Sequence, residues 1–117
     1  MLLTKSPVRF AAAALTIARA QLPQYRTKYS RHDFEWPQLV TCLLVGQFLR
    51  LDYRGTEQML VEHEPLRRTL ELRRVPDHTV LCRAMGNISP LAIEKLLDET
   101  VTRLVRLRRR QTPSPKT

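Results

Sequence analysis

Apolar and polar residues along this chain recur at helical spacing, with little of the alternation a strand requires. Val8 to Gln21 reads as a helix, because it is rich in alanine, the strongest helix former. Phe10, Ala14, Ile17 and Ala18 fall on one side of it, so it can dock. Pro23 ends it, and Gln24 to Ser30 follows as a polar, basic linker. The next helix begins between Asp33 and Pro37 and runs to about Leu49. Asp33 as its cap and Pro37 as a first-turn residue fit the pattern equally. Leu39, Val40, Leu43, Leu44 and Phe48, extended by Cys42 and Val45, are apolar over most of its circumference, which marks a central helix. Gly46 inside it costs about 1 kcal/mol relative to alanine, and its value there is a close helix crossing. Leu51-Asp52-Tyr53-Arg54-Gly55 reads as the closing turn. Thr56 is then the expected cap of a short helix, with Glu57 in its first turn and Met59, Leu60 and His63 on its inner side.

Leu66 to Met85 reads as two short helices joined by a tight turn. Leu66 and Leu70 share one face of the first, and Pro65 suits its first turn. Pro76 keeps Val75 out of the helical region, so that helix must stop before it. Asp77 caps the second helix. Beyond it Leu81, Ala84 and Met85, with Val80 at the edge, form an apolar stripe, and His78, Thr79, Cys82 and Arg83 lie opposite. Gly86 and Asn87 close this helix, since both tolerate the left-handed conformation. Ser89 caps the last helix and Pro90 fills its first position. Leu91, Leu97, Val101, Leu104 and Val105 give it an apolar side, and Glu99 and Arg103 are spaced for an ion pair. It ends in Arg106-Leu107-Arg108-Arg109-Arg110. The remaining residues, QTPSPKT, carry too little apolar content to fold.

The expectation is therefore an all-α fold: a small helical bundle with a helix-turn-helix-like unit and a long basic C-terminal helix. Residues 1–24 form an N-terminal helix and arm, 25–105 the helical domain, and 106–117 a basic helix end and tail. At 117 residues the chain supplies one domain with a modest core.

Charge sharpens the picture. The formal net charge is +9, which points to a polyanionic partner. The excess sits at the ends: six basic residues and no acid precede Asp33, and six basic residues and no acid lie from Arg103 onward. Cys42 and Cys82 fit no disulfide framework, and reduced thiols in a cytoplasmic protein are the simplest reading. No apolar run reaches the length of a membrane span. Lys5 and Arg9 before an alanine-rich run outline a weak secretory signal, under which the mature chain would begin near Gln21, and the acid-free start has a transit-peptide character.

No active site is legible. There is no glycine-rich phosphate loop, nucleophile elbow, CxxC or HExxH pair. His78 and Cys82 make half of a zinc site without further ligands at supporting spacing, so no metal or cofactor is expected. What remains is arginine chemistry. Arg67, Arg68, Arg73 and Arg74 crowd the first short helix and its turn, and can neutralise phosphates. His78, Thr79 and Arg83 can reach base edges if their helix enters a major groove, where Arg83 suits a guanine. Double-stranded DNA is the expected partner. The alternative is a helical protein–protein interaction module, using the apolar side of the last helix to form a homodimer. A membrane-surface role is weaker, because that helix carries acids in its first half.

The order of short motifs adds a resemblance. Tyr29-Ser30-Arg31-His32-Asp33, a leucine-rich helix, Leu51-Asp52-Tyr53-Arg54-Gly55, and then Val75-Pro76-Asp77-His78-Thr79-Val80-Leu81 resemble the N-terminal helical region of insertion-sequence DDE transposases. The likeness runs roughly from Tyr25 to Leu104. It implies a region that helps bind terminal inverted repeats and assemble dimers ahead of a ribonuclease-H-like catalytic domain. That domain's two aspartates and glutamate have no counterparts here, so the resemblance implies a module without enzyme activity of its own. Val80 stands where a second hydroxyl residue is common in that family.

Overall fold

The structure is a computed structural model and describes residues 6–25 and 33–111, with side chains up to residue 107. Among the described residues six helices and no strand occur. They are α1 (Pro7–Gln21), α2 (Trp36–Phe48), α3 (Tyr53–Glu62), α4 (Glu64–Thr69), α5 (His78–Gly86) and α6 (Pro90–Gln111). The chain is thus a small all-α bundle. The Tyr29–His32 motif, most of the 24–30 linker, the Arg108–Arg110 side chains and the QTPSPKT tail lie outside the described residues.

Local chemistry sets most helix starts. The Ser6 hydroxyl accepts the Arg9 N–H at 3.2 Å, with Pro7 opening α1. At α2 the choice between Asp33 and Pro37 resolves with Pro37 in the first turn and neither as the cap. Glu35 caps, and it forms a reciprocal pair with Gln38, whose Oε1 accepts the Glu35 N–H at 2.9 Å. Asp77 caps α5 by accepting the Val80 N–H at 2.9 Å, and Ser89 caps α6 by accepting the Ala92 N–H at 3.0 Å.

Thr56 is not a cap. The Asp52 carboxylate accepts the Gly55 N–H at 2.6 Å, so α3 starts four residues earlier than expected and takes in Tyr53, Arg54, Gly55 and Thr56. Thr56 is instead buried inside α3, with its hydroxyl donating to the Asp52 carbonyl at 2.8 Å. This places it against Gly46 of α2. A Cβ built on Gly46 would lie 2.3 Å from Thr56 Oγ1, so the glycine is what lets these helices cross.

Two turns use non-glycine residues in the left-handed conformation: Arg50 at φ 59° and Glu71 at φ 58°. Both close Schellman motifs. Leu51 N–H donates to the Gly46 carbonyl at 2.8 Å, and Leu72 N–H to the Arg67 carbonyl at 3.0 Å. The second motif ends α4 at Thr69, well ahead of Pro76. The connection from α4 to α5 therefore spans residues 70–77 rather than a tight turn, and the two helices do not pack on each other. Helix α5 packs instead on α3 and α2. At its other end Gly86 and Asn87 close α5 without entering the left-handed region: Asn87 sits at φ −106°, and its amide Nδ2 donates to the Arg83 carbonyl at 3.0 Å.

The core is continuous across the bundle. Phe10 of α1 stacks on Phe48 of α2 with ring centroids 4.1 Å apart. Val40, Leu44 and Val45 meet Leu60, Leu66, Leu70 and Leu81 in one buried cluster. Helix α1 packs on α2, α4 and α6, and its alanines are small enough to let those helices approach closely. Helix α6 turns inward a face that shares Leu104 with the expected one, with Leu97 packed at its edge. Ile93, Leu96, Thr100 and Leu104 are buried, whereas Leu91 is 75% exposed. Thr100 is tolerated there because its hydroxyl donates to the Leu96 carbonyl at 2.8 Å. Glu99 and Arg103 form no ion pair among the described residues; Glu99 accepts from the Gln21 amide of α1 instead. No helix of the described residues is long and apolar enough to cross a membrane.

Candidate nucleic-acid interface

Helix α5 owes its orientation to Leu81 and Ala84, which anchor it on α2 and α3. With these inward, Thr79, Cys82, Arg83 and Gly86 fall on one outward face, at i, i+3, i+4 and i+7. Nothing lies within 4 Å of a Cβ built on Gly86, so this face is flat and open at its C-terminal end. A nine-residue helix of this shape can lie in a major groove, which is wide enough to admit an α-helix.

The seven residues expected to meet DNA divide into two groups. Thr79 and Arg83 stand exposed on the outward face, and Arg73 and Arg74 stand exposed in the connection just before α5. Arg74 lies 3.8 Å from the Asp33 carboxylate, and its guanidinium sits 5.8 Å from the centre of the Phe34 ring. The other three are engaged within the protein. Arg67 donates through Nη1 to the Leu60 carbonyl at 2.7 Å and also to the Val61 carbonyl, satisfying the open C-terminal end of α3. Arg68 pairs with Glu64 one turn away at 3.1 Å and remains largely in solvent. His78 is half-exposed, but its ring Nδ1 lies 3.0 Å from Glu57 Oε1, and the same oxygen accepts the His78 backbone N–H at 2.8 Å. These two bonds pull the Glu57 carboxyl below its ordinary range, the side-chain bond more strongly.

His63, expected on the inner side of α3, is half-buried and caps α4, its Nδ1 accepting the Leu66 N–H at 3.2 Å. Cys42 is fully buried, and desolvation pushes its thiol up to about 12. Cys82 is exposed. Among the described residues no three of His, Cys, Asp and Glu converge as a metal cluster, and His78 and Cys82 on α5 gain no third ligand.

Beside α5 the structure adds a groove that residue patterns did not single out. It has a volume of about 550 Å³ and runs between the start of α2, the 70–77 connection and α5. Tyr25, Phe34 and Trp36 line one part of it, and Arg74, Arg83 and Asn87 another. The signal available for it was the interleaving of aromatic and basic residues from Tyr25 to Trp36.

Compared with known proteins, the chain matches no family model, no curated sequence and no solved structure.

Proposed function

We propose that this chain is a DNA-binding helical module of the transposase N-terminal type, which binds terminal inverted repeats and carries out no catalytic step. The observation that carries the reading is the outward face of α5. Thr79 and Arg83 stand free to reach base edges, and Arg73 and Arg74 flank them as phosphate contacts. The net charge of +9 and the order of motifs from Tyr29 to Leu81 support it. His78 and Arg67 have internal work, so the reading rests on fewer side chains than the residue pattern suggested.

Titration of a short duplex with the folded protein over a series of salt concentrations tests this. The expected result is an affinity that falls linearly in log K against log salt, with a slope of about −0.9 for each phosphate neutralised. Folded protein that leaves duplex unbound at low salt ends the proposal.

A second reading, self-association, draws on the exposed Leu91 and Leu107 of α6. Sedimentation over a range of protein concentrations separates it: a strict monomer ends the homodimer version.

A further inference from the structure

We infer that the groove beside α5 receives an unpaired nucleobase, so that the module prefers duplex DNA carrying a single-stranded end. This rests on the DNA-binding reading and deepens it. Three features of the groove favour a neutral aromatic ring over a phosphate or a metal ion. Phe34 supplies aromatic surface and Val80 aliphatic surface, with the largely buried Trp36 and Ala84 behind them. Among the described residues that line it, Arg74 and Arg83 stand against Asp33 and Asp77. Asp77 is committed to capping α5 and Asp33 faces Arg74, so neither acid stands free to hold a cation. Asn87 spends one amide hydrogen on the Arg83 carbonyl and keeps its Oδ1 and a second N–H for a base edge.

The Arg74–Phe34 pair is the entry point. Bases stack about 3.4 Å apart, so a base held between two flat groups needs them roughly 7 Å apart. Arg74 lies 5.8 Å from the Phe34 ring centre, and its side chain is 66% exposed. Its contact with Asp33 is 3.8 Å, beyond hydrogen-bond length, so a small swing opens the slot. A base seated there lies between a guanidinium and a ring, with the exposed Arg73 next in the chain to meet a flanking phosphate.

Trp36 is the chain's sole tryptophan and lines the groove, so its fluorescence reports occupancy directly. The experiment compares a short blunt duplex with the same duplex carrying a single-stranded extension, measuring affinity and Trp36 emission together. The extension is expected to tighten binding by about 5- to 150-fold, the range of one base–aromatic stack, and to quench Trp36. Phe34→Ala should abolish the difference between extended and blunt duplex, with helicity checked by circular dichroism. Phe34→Tyr keeps the ring and should keep the gain. Equal affinities with unchanged Trp36 emission overturn the groove assignment; salt-dependent binding of the blunt duplex would then leave the DNA-binding reading standing. Failure of both duplexes to bind at low salt overturns both. Trp36 emission that responds to Tyr29→Ala in the absence of DNA, and not to the extension, assigns the groove to residues 26–32 of the chain itself and also overturns the proposal.

Discussion

One carboxylate oxygen of Glu57 holds both the ring and the backbone N–H of His78, at 3.0 and 2.8 Å, and so fastens α3 to the first turn of α5. Arg19 of α1 makes a comparable tie, reaching Glu71 at 3.0 Å and Glu35 at 3.2 Å. Glu57 is held below its ordinary value of 4.5 by His78, and Glu71 by Arg19. A carboxyl that titrates lower when folded adds stability above its unfolded value, and that stability is lost as pH falls through the folded value. Stability should therefore decline as pH drops below about 4.5. Glu57→Gln and Glu71→Gln should each be slightly less stable at neutral pH and show a shallower acid decline. Urea midpoints across the acid range check this; a variant with the same acid slope as the parent would show that its carboxylate is not held.

Arg67 and Arg73 should separate stability from binding. Arg67 caps the carbonyls of α3 from a half-buried position, so Arg67→Ala should cost about 1–3 kcal/mol of folding stability. Arg73 is exposed, so Arg73→Ala should leave stability within about 0.5 kcal/mol. If Arg73 contacts a phosphate, its loss lowers the salt slope of DNA binding by about 1. Denaturation curves and salt titrations of both variants measure the split.

Under the proposed DNA-binding reading, the exposed Arg83 of α5 is the side chain that reads sequence. Arg83→Ala should lower discrimination between preferred and altered sites by about 1–3 kcal/mol, while overall affinity for random duplex changes far less. Competition binding with single-base variants of a selected site measures this. An unchanged preference removes Arg83 from the reading face.

The α2–α3 crossing should not admit a side chain at Gly46. In Gly46→Ala the new methyl meets the short, buried Thr56 side chain, which cannot swing aside. Overpacking of this kind costs about 1–3 kcal/mol, against which the gain in helix propensity is about 1 kcal/mol. The net effect is destabilising. Adding Thr56→Ala should recover part of the loss, giving a favourable coupling in a double-mutant cycle.

The two thiols should differ in reactivity. Cys82 is exposed on α5, while Cys42 is fully buried with its thiol pushed up to about 12. The thiolate is the reactive form, so a maleimide at neutral pH should label Cys82 quickly and Cys42 only on unfolding. If α5 lies against DNA, bound duplex should slow the labelling of Cys82.

The starts of α4, α5 and α6 and the central helix were legible in the sequence. Asp77, Ser89 and Pro65 act within one turn of their own position, and α2 is apolar on nearly every side, so no choice of face arises. Gly46 was legible as a crossing for the same reason, since a glycine inside such a helix has little other use. The start of α3 was misplaced: the pattern favours Thr56 as cap, but the Asp52 carboxylate reaches the Gly55 N–H and Thr56 is drawn inside against Gly46. Tertiary contacts decided the rest. The inner face of α6 runs through Thr100, a polar residue that interrupts the stripe, so the pattern picks out Leu104 but not Ile93 and Leu96. Which of the expected contact residues remain free was likewise settled between helices: Arg67 is spent on carbonyls of the preceding helix, and His78 on a glutamate twenty-one positions away. Caps and periodicity are local bonds that neighbouring residues specify. Burial and pairing depend on which distant segment arrives alongside, and only the folded chain determines that.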